Sequence, residues 1–326
     1  MAQQVYKAGE DMHRKNIVWK IIIAVNIVLI YCIYLQYMMP SREHRIFGVT
    51  YMTMNNPFYK IINNEILKVV EQHGDILVTL DPALDIEKQN EQIYDMVEKN
   101  VDGIFVNPID FKENTPALQA AKDAGIPIIV IDSPVQDSEL VNCTVVSDNY
   151  DAGVQCAREM MKREPSANII LLKHTTAQSA KERIDGFCAA IAGNNNYKIV
   201  NESECEGQLE KAMPAVQRML EETPQANVIM ALNDPSALGA IAALEEKQRY
   251  DVLVYGVDGT PDMKSLFAYN QAAAGTVAQS PISIGRIAGE KMYEILAGKN
   301  VEKEVIIPVS FINKDNLSEY DEKGWQ

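Results

Sequence analysis

The sequence predicts an α/β protein with two parallel sheets, set behind an apolar N-terminal segment. Three observations support this. From Ile46 onward, short apolar runs alternate with amphipathic stretches, a pattern that builds parallel sheets with helices on both faces. The alternation yields more elements than one compact sheet holds, so two sheets are expected. Near the N-terminus, Ile21 to Met39 is a run of nineteen residues without a charge, close to the roughly 20 needed to cross a bilayer.

Taken in order, the strands are expected at Ile46–Tyr51, Ile76–Leu80, Gly103–Val106, Ile126–Ile131, Ile169–Leu172, Val228–Leu232 and Val252–Val257. A first helix follows Pro57, with Phe58, Ile61, Ile62, Ile66, Val69 and Val70 at spacings of three and four, the period of one buried helix face. Further helices are expected over Glu87–Lys99, Ala117–Asp123, Asp151–Arg163, Ala177–Ala192, Leu209–Glu221, Pro235–Lys247 and Ile282–Leu296. Gly125 and Gly298 are placed to stop two of them.

The apolar run 21–39 reads as an uncleaved membrane anchor. Lys7, Arg14, Lys15 and Lys20 precede it, against Arg42 and Arg45 after it. The positive-inside bias then leaves residues 1–20 in the cytoplasm and residues 45–326 outside. A cleaved signal peptide is the alternative, but Tyr37-Met38-Met39-Pro40 lacks the small residues of a cleavage site. Bulky Tyr31 before Cys32 argues against lipidation.

Of the 30 basic and 45 acidic residues, the first 45 positions hold six and three. The rest therefore carries 24 basic against 42 acidic residues, a net of −18, which argues against nucleic-acid binding. Apart from Cys32, the cysteines at 143, 156, 188 and 205 show no Cys-x-x-Cys spacing. They read as buried free thiols and not as metal ligands; disulfides outside the cell are the alternative, whose pairing the sequence does not assign. No phosphate loop, Gly-x-Ser-x-Gly or His-Glu-x-x-His occurs, and no cofactor motif is present.

What remains is a set of polar residues at strand ends, where open parallel sheets bind ligands. Asn56 follows the first strand, Asn107 the third, and Asp132-Ser133 the fourth. Asn233-Asp234 follows Leu232, Asp258 follows Val257, and Gln279 follows Thr276-Val277-Ala278. One such residue alone would be a helix cap or turn; six on one architecture point to a site. Met54-Asn55-Asn56-Pro57-Phe58-Tyr59 presents amides and aromatic rings together. Amides grip hydroxyls and rings cover a flat apolar face, a pairing suited to a sugar or polyol.

With these residues laid out, the chain resembles the ribose-binding-protein family, the type I periplasmic substrate-binding proteins that serve sugar ABC transporters. The resemblance runs from about Ile46 to Ile312. It rests on the 54–59 motif, Asn107-Pro108, Ile131-Asp132, Ser147-Asp148-Asn149, Glu182-Arg183-Ile184-Asp185-Gly186-Phe187, Asn233-Asp234, Gly256-Val257-Asp258-Gly259-Thr260-Pro261-Asp262 and Ala278-Gln279-Ser280-Pro281. Each motif is weak alone; their order and spacing together are specific.

The resemblance implies two Rossmann-like lobes joined by three crossing segments. Residues 45–146 with 280–307 would form the N-terminal lobe, and 147–279 with 308–326 the C-terminal lobe. The ligand would sit between them. Asn56, Phe58, Tyr59, Asn107, Asp132 and Ser133 would face it from the first lobe; Arg183, Asn233 and Asp258 from the second; Gln279 would lie near a crossing. Two positions depart from the family pattern. Ser133 stands where the family commonly has arginine, and Glu206-Gly207-Gln208 where ribose binders place a stacking aromatic. Both point away from ribose and toward a larger or differently substituted sugar or cyclitol. His174, Lys181 and Glu206 map to the cleft mouth and read as solvated surface residues.

The function expected is a membrane-anchored solute-binding receptor that closes on its ligand and is read by a permease or a sensor kinase. A sugar-responsive repressor would share the fold, but residues 1–45 supply an apolar span in place of a helix-turn-helix. As an enzyme, the chain could offer Asp132 and Asp258 as a glycosidase pair; hydroxyl binding explains both without chemistry.

Overall fold

The computed structural model describes residues 19, 20, 22–31, 34 and 44–326. The chain divides into two compact units, Met1–His44 and Arg45–Gln326. In the first, residues 22–31 are helical, and apolar side chains including Ile22, Val25, Leu29 and Ile30 are exposed. The expected 21–39 span falls partly outside the described residues. Among the described residues no helix is long and apolar enough to cross a membrane.

The second unit holds two six-stranded sheets. In the first sheet β1 (Ile46–Thr50), β2 (Ile76–Leu80), β3 (Gly103–Val106), β4 (Ile128–Ile131), β5 (Cys143–Ser147) and β11 (Glu304–Ile307) lie in the order β11-β5-β4-β3-β1-β2, all parallel. In the second, β6 (Ala167–Lys173), β7 (Tyr197–Glu204), β8 (Val228–Ala231), β9 (Leu253–Asp258), β10 (Ala273–Ala278) and β12 (Ser310–Ile312) lie in the order β12-β10-β9-β8-β6-β7. Only β12 is antiparallel to its neighbour. β3, β4, β8 and β9 are buried at every residue, as parallel strands covered on both faces must be. The chain passes between the sheets after β5, after β10 and again between β11 and β12. The architecture is two parallel-sheet α/β lobes.

The helices start where the sequence provides caps. α1 (Pro57–Gln72) has proline at its first turn, and the Asn56 side chain accepts from Phe58 N at 2.9 Å, which satisfies an otherwise orphaned donor. Its buried face includes Phe58, Tyr59, Ile62 and Ile66; each such aliphatic side chain stabilises by about 1.5–3 kcal/mol. α2 (Ile86–Glu98) and α3 (Thr115–Asp123) complete the first half, and α9 (Pro281–Leu296) packs beside α1. The second sheet carries α4 (Asn149–Arg163), α5 (Gln178–Ile191), α6 (Leu209–Glu222), α7 (Asp234–Glu246) and α8 (Pro261–Leu266).

One helix pair matters for the site. A Cβ added at Gly153 on α4 would lie 1.8 Å from Arg183 O, and one at Gly186 on α5 would lie 2.1 Å from Tyr150 O. The two glycines let α4 and α5 touch backbone to backbone, which brings Arg183 against Asn149.

Several elements escaped the sequence pattern. β7 reads Tyr-Lys-Ile-Val-Asn-Glu-Ser-Glu and is an exposed edge strand, so it carries little apolar signal. β5, β11 and β12 are short, and partner strands rather than local propensity define them; the six-residue α8 is too short to show a helical period, although Thr260 caps it and Pro261 opens it.

Candidate functional site

The carboxyl ends of both sheets face one cavity. Eight sequence-predicted residues line it: Asn56, Phe58, Tyr59, Asp132, Arg183, Asn233, Asp258 and Gln279. Asn107 and Ser133 are not on its wall.

Asn107 stands one step behind. Its Nδ2 donates to Asp132 Oδ2 at 3.2 Å and its Oδ1 accepts from Met52 N at 3.1 Å. It therefore orients a cavity carboxylate while anchoring the loop after β1. Ser133 is consumed by the other lobe, for its Oγ accepts from Ser179 N at 3.2 Å. Together with the bond from Phe111 N to Thr176 O at 2.9 Å, it joins the two lobes directly.

Each of the two aspartates is held with a polar atom to spare. Asp132 follows β4 with φ +67°, and Asp258 ends β9 with φ +138°. Such backbone angles are costly for residues other than glycine and recur at functional sites. Asp132 Oδ1 has no hydrogen-bond partner. Asp258 Oδ1 accepts from Gln279 Nε2 at 2.8 Å and lies 3.6 Å from Arg183 Nη1, while its Oδ2 is unpartnered. Gln279 Oε1 is unpartnered too. Three of the seven buried side-chain polar atoms without a partner among the described residues are thus acceptors on residues of this one cavity wall, and such groups are the exception in folded proteins.

Arg183 supplies the cation. It is 4 % exposed. Its Nε donates to Asn149 Oδ1 at 2.9 Å and its Nη1 to Leu232 O at 3.0 Å, which locks the guanidinium plane. Burial pushes the Asp132 and Asp258 carboxyls up, and Arg183 draws both back. Asp234, fully buried behind the site, is pushed up to about 6 by desolvation. It accepts from Thr260 N at 2.7 Å and Thr276 Oγ1 at 2.6 Å, and so clamps the turn after Asp258.

The aromatic wall is layered. Phe58 meets Tyr59 edge-on at 5.8 Å, and Tyr59 stacks on Tyr51 at 5.9 Å. Tyr59 OH also donates to Met52 Sδ at 3.4 Å. Asn233 uses its amide locally: its Oδ1 accepts from Ser236 N at 3.0 Å and its Nδ2 donates to Gly207 O at 3.1 Å. It is a helix cap whose position happens to shape the wall.

The expectation for His174 needs correcting. It is 8 % exposed, lines the cavity, and its pKa is lowered, chiefly by desolvation. Glu206 also lines the cavity, with an exposed side chain bonded to Lys211. Lys181 is exposed and pairs with Asp185, as a solvated residue would. Leu84 and Leu232, also on the wall, were missed. Leu84 sits in a loop at φ +65°, and nothing in the sequence marks it.

The family comparison rests on this ground. Residues 47–300 match the model of the periplasmic binding protein domain. The chain belongs to that family. Within it, the chain is similar to the ribose import binding protein RbsB of Bacillus subtilis strain 168, with 29% identity over 264 residues covering 80% of this chain and 85% of that protein. RbsB of Escherichia coli K12 is likewise 29% identical over 264 residues, covering 80% and 88%. Among solved structures, an ABC transporter solute-binding protein from Mycobacterium smegmatis with bound glycerol superposes with a TM-score of 0.80. It is 30% identical and covers 85% of this chain and 96% of that one. These relatives are ribose-binding-like solute-binding proteins of ABC transporters, and the type I periplasmic-binding-protein fold is shared with them. They are binding proteins and not enzymes.

Proposed function

We propose that this periplasmic-binding-protein unit captures a neutral sugar or cyclitol between its two lobes and presents it to an ABC permease. The observation that carries this reading is the convergence of Asp132 Oδ1, Asp258 Oδ2 and Gln279 Oε1, all buried and unpartnered, on one cavity. Hydroxyl groups are donors and satisfy such acceptors; the Arg183 fork answers with donors to ring or hydroxyl oxygens. Phe58 and Tyr59 cover an apolar ring face. Carboxylates outnumber the single guanidinium on the wall, which disfavours sugar phosphates and sugar acids. The relatives' ribose-binding and glycerol-bound character supports a polyhydroxylated ligand. Ribose itself fits poorly, because Ser133 and Gly207 stand where a ribose site would carry a cation and a ring.

The same proposal places the chain in the membrane through residues 21–39, with residues 45–326 outside and Met1–Lys20 inside. Two measurements test the reading. A thermal-shift screen of the full chain against pentoses, hexoses and inositols should single out one compound; at 100 times its Kd a ligand stabilises by about 2.7 kcal/mol. No shift with any polyol overturns the sugar assignment. Protease added to intact cells should digest the globular unit and spare an N-terminal tag. A soluble domain released by cleavage near Pro40 overturns the anchor.

A further inference from the structure

We propose that residues 313–326 form a strap from the second lobe to the ligand face of the first, with Trp325 as the positioning residue for Phe58. This rests on the reading of Phe58 as a ligand-contact residue.

The strap starts on the second lobe, where β12 pairs with β10. It turns at once: Asn316 Nδ2 donates to Phe311 O at 2.9 Å, and Asn316 Oδ1 accepts from Asn313 N at 2.9 Å. It is then pinned to the same lobe by Lys264 on α8. Lys264 is 0 % exposed, and its Nζ donates to Asp321 O and to Gly324 O, the latter at 2.7 Å. A buried ammonium is costly unless its donors are satisfied. Both of its acceptors are strap carbonyls, so holding the strap explains why a lysine is buried there.

From that anchor the strap reaches the other lobe. The Trp325 ring meets Phe58 edge-on, with centroids 5.6 Å apart at 64°. Phe58 opens α1 on the first lobe and lines the cavity. Its other neighbour is Tyr59, which stacks on Tyr51. An aromatic row Trp325–Phe58–Tyr59–Tyr51 therefore runs from the strap into the first lobe. The contact joins the lobes at a point separate from the three chain crossings. Opening the cleft must break this contact or drag the strap off Lys264. With Trp325 in place, the Phe58 ring is braced from behind and keeps the face it turns to the ligand.

The test uses the full chain in detergent micelles. The sequence has two tryptophans, so Trp19→Phe leaves Trp325 as the single reporter. Without any sugar, acrylamide should quench Trp325 weakly, and both Phe58→Ala and Lys264→Met should raise the quenching constant severalfold. Equal quenching in parent and Phe58→Ala overturns the contact. In the second arm, myo-inositol, D-ribose and D-fucose are titrated separately by thermal melting. Trp325→Ala should weaken whichever sugar stabilises the parent by roughly five- to tenfold, the scale of one aromatic contact with its packing. Trp325→Phe should recover most of the loss in affinity and most of the drop in sugar-free melting temperature that loss of the contact also causes. Unchanged affinity in Trp325→Ala overturns the positioning role. If none of the three sugars stabilises the parent, the positioning role at Phe58 is rejected for these sugars while the wider polyol screen still decides the sugar-binding reading, and the quenching arm upholds or overturns the strap contact by itself.

Discussion

Asp258→Asn separates binding from folding at this site more cleanly than any other single change. Asparagine keeps the size and shape of the side chain, so it meets the backbone angle of +138° at this position much as aspartate does, whereas it removes the charge beside Arg183. In the ligand-free protein that charge is already expensive, because burial pushes the Asp258 carboxyl well up despite Arg183. Arg183 keeps its bonds to Asn149 Oδ1 at 2.9 Å and Leu232 O at 3.0 Å, and an amide oxygen at 258 can still accept from Gln279 Nε2. Ligand-free stability should therefore change by no more than about 1 kcal/mol, or about 2–4 °C in melting temperature. Binding is another matter. A hydroxyl bonded to the free Oδ2 loses a charged acceptor, and bonds to charged groups contribute about 1.5–3 kcal/mol, which is roughly 10- to 150-fold in Kd. Asp258→Ala gives the contrast. It strips the acceptor from Gln279 Nε2 and the nearby anion from Arg183, so it should also lower the melting temperature. Calorimetric titration of the sugar found by the thermal screen, with melting curves for both variants, decides it. Wild-type affinity in Asp258→Asn would show that Oδ2 is no ligand acceptor, and a collapse of its ligand-free melting temperature would show that the charge is structural.

Three further outcomes are expected. Gly186→Ala sets a Cβ 2.1 Å from Tyr150 O, so α4 and α5 must part; the cost should exceed about 3 kcal/mol, and a variant that melts like wild type refutes the close packing. Asp234 has a folded value raised from 3.8 to about 6, so its contribution to ligand-free stability is fully present below 3.8 and is lost as pH rises through about 6. Asp234→Asn should flatten that fall in a pH series of melts, whereas His174, lowered in the fold, acts oppositely and loses stability as pH drops below 6.5. Gly207→Phe will not rebuild a ribose site: Gly207 has φ +68° and a Cβ there meets Asn233 Nδ2 at 2.8 Å. It should lower both the melting temperature and sugar affinity, and ribose should bind wild type less tightly than the best hexose or cyclitol; a ribose gain in the variant, or ribose leading the wild-type panel, refutes this.

What the sequence by itself determined is the part written in local chemistry. The α/β alternation, the Asn56-Pro57 start of α1 and the run of polar residues at strand ends are all set by periodicity, capping and backbone preference within a few residues. That suffices for two sheets and for seven of the residues on the cavity wall; Arg183, inside a helix, was reached only through the family resemblance. Only the tertiary structure decided what those residues do there. Asn233 lines the cavity as expected and also caps its own helix through Ser236 N, a local bond, but that its amide is tied to Gly207 O, 26 positions away, could only be seen in the fold. Ser133 turned to the other lobe because Ser179 N arrives from α5 to meet it. His174 is buried by neighbours that no local window contains. Trp325, near the end of the chain, reaches the first-lobe residue Phe58 because a lysine sixty positions upstream holds the carbonyl of Gly324. Burial and long-range hydrogen bonding depend on which surfaces meet, and a linear pattern carries periodicity but not those meetings.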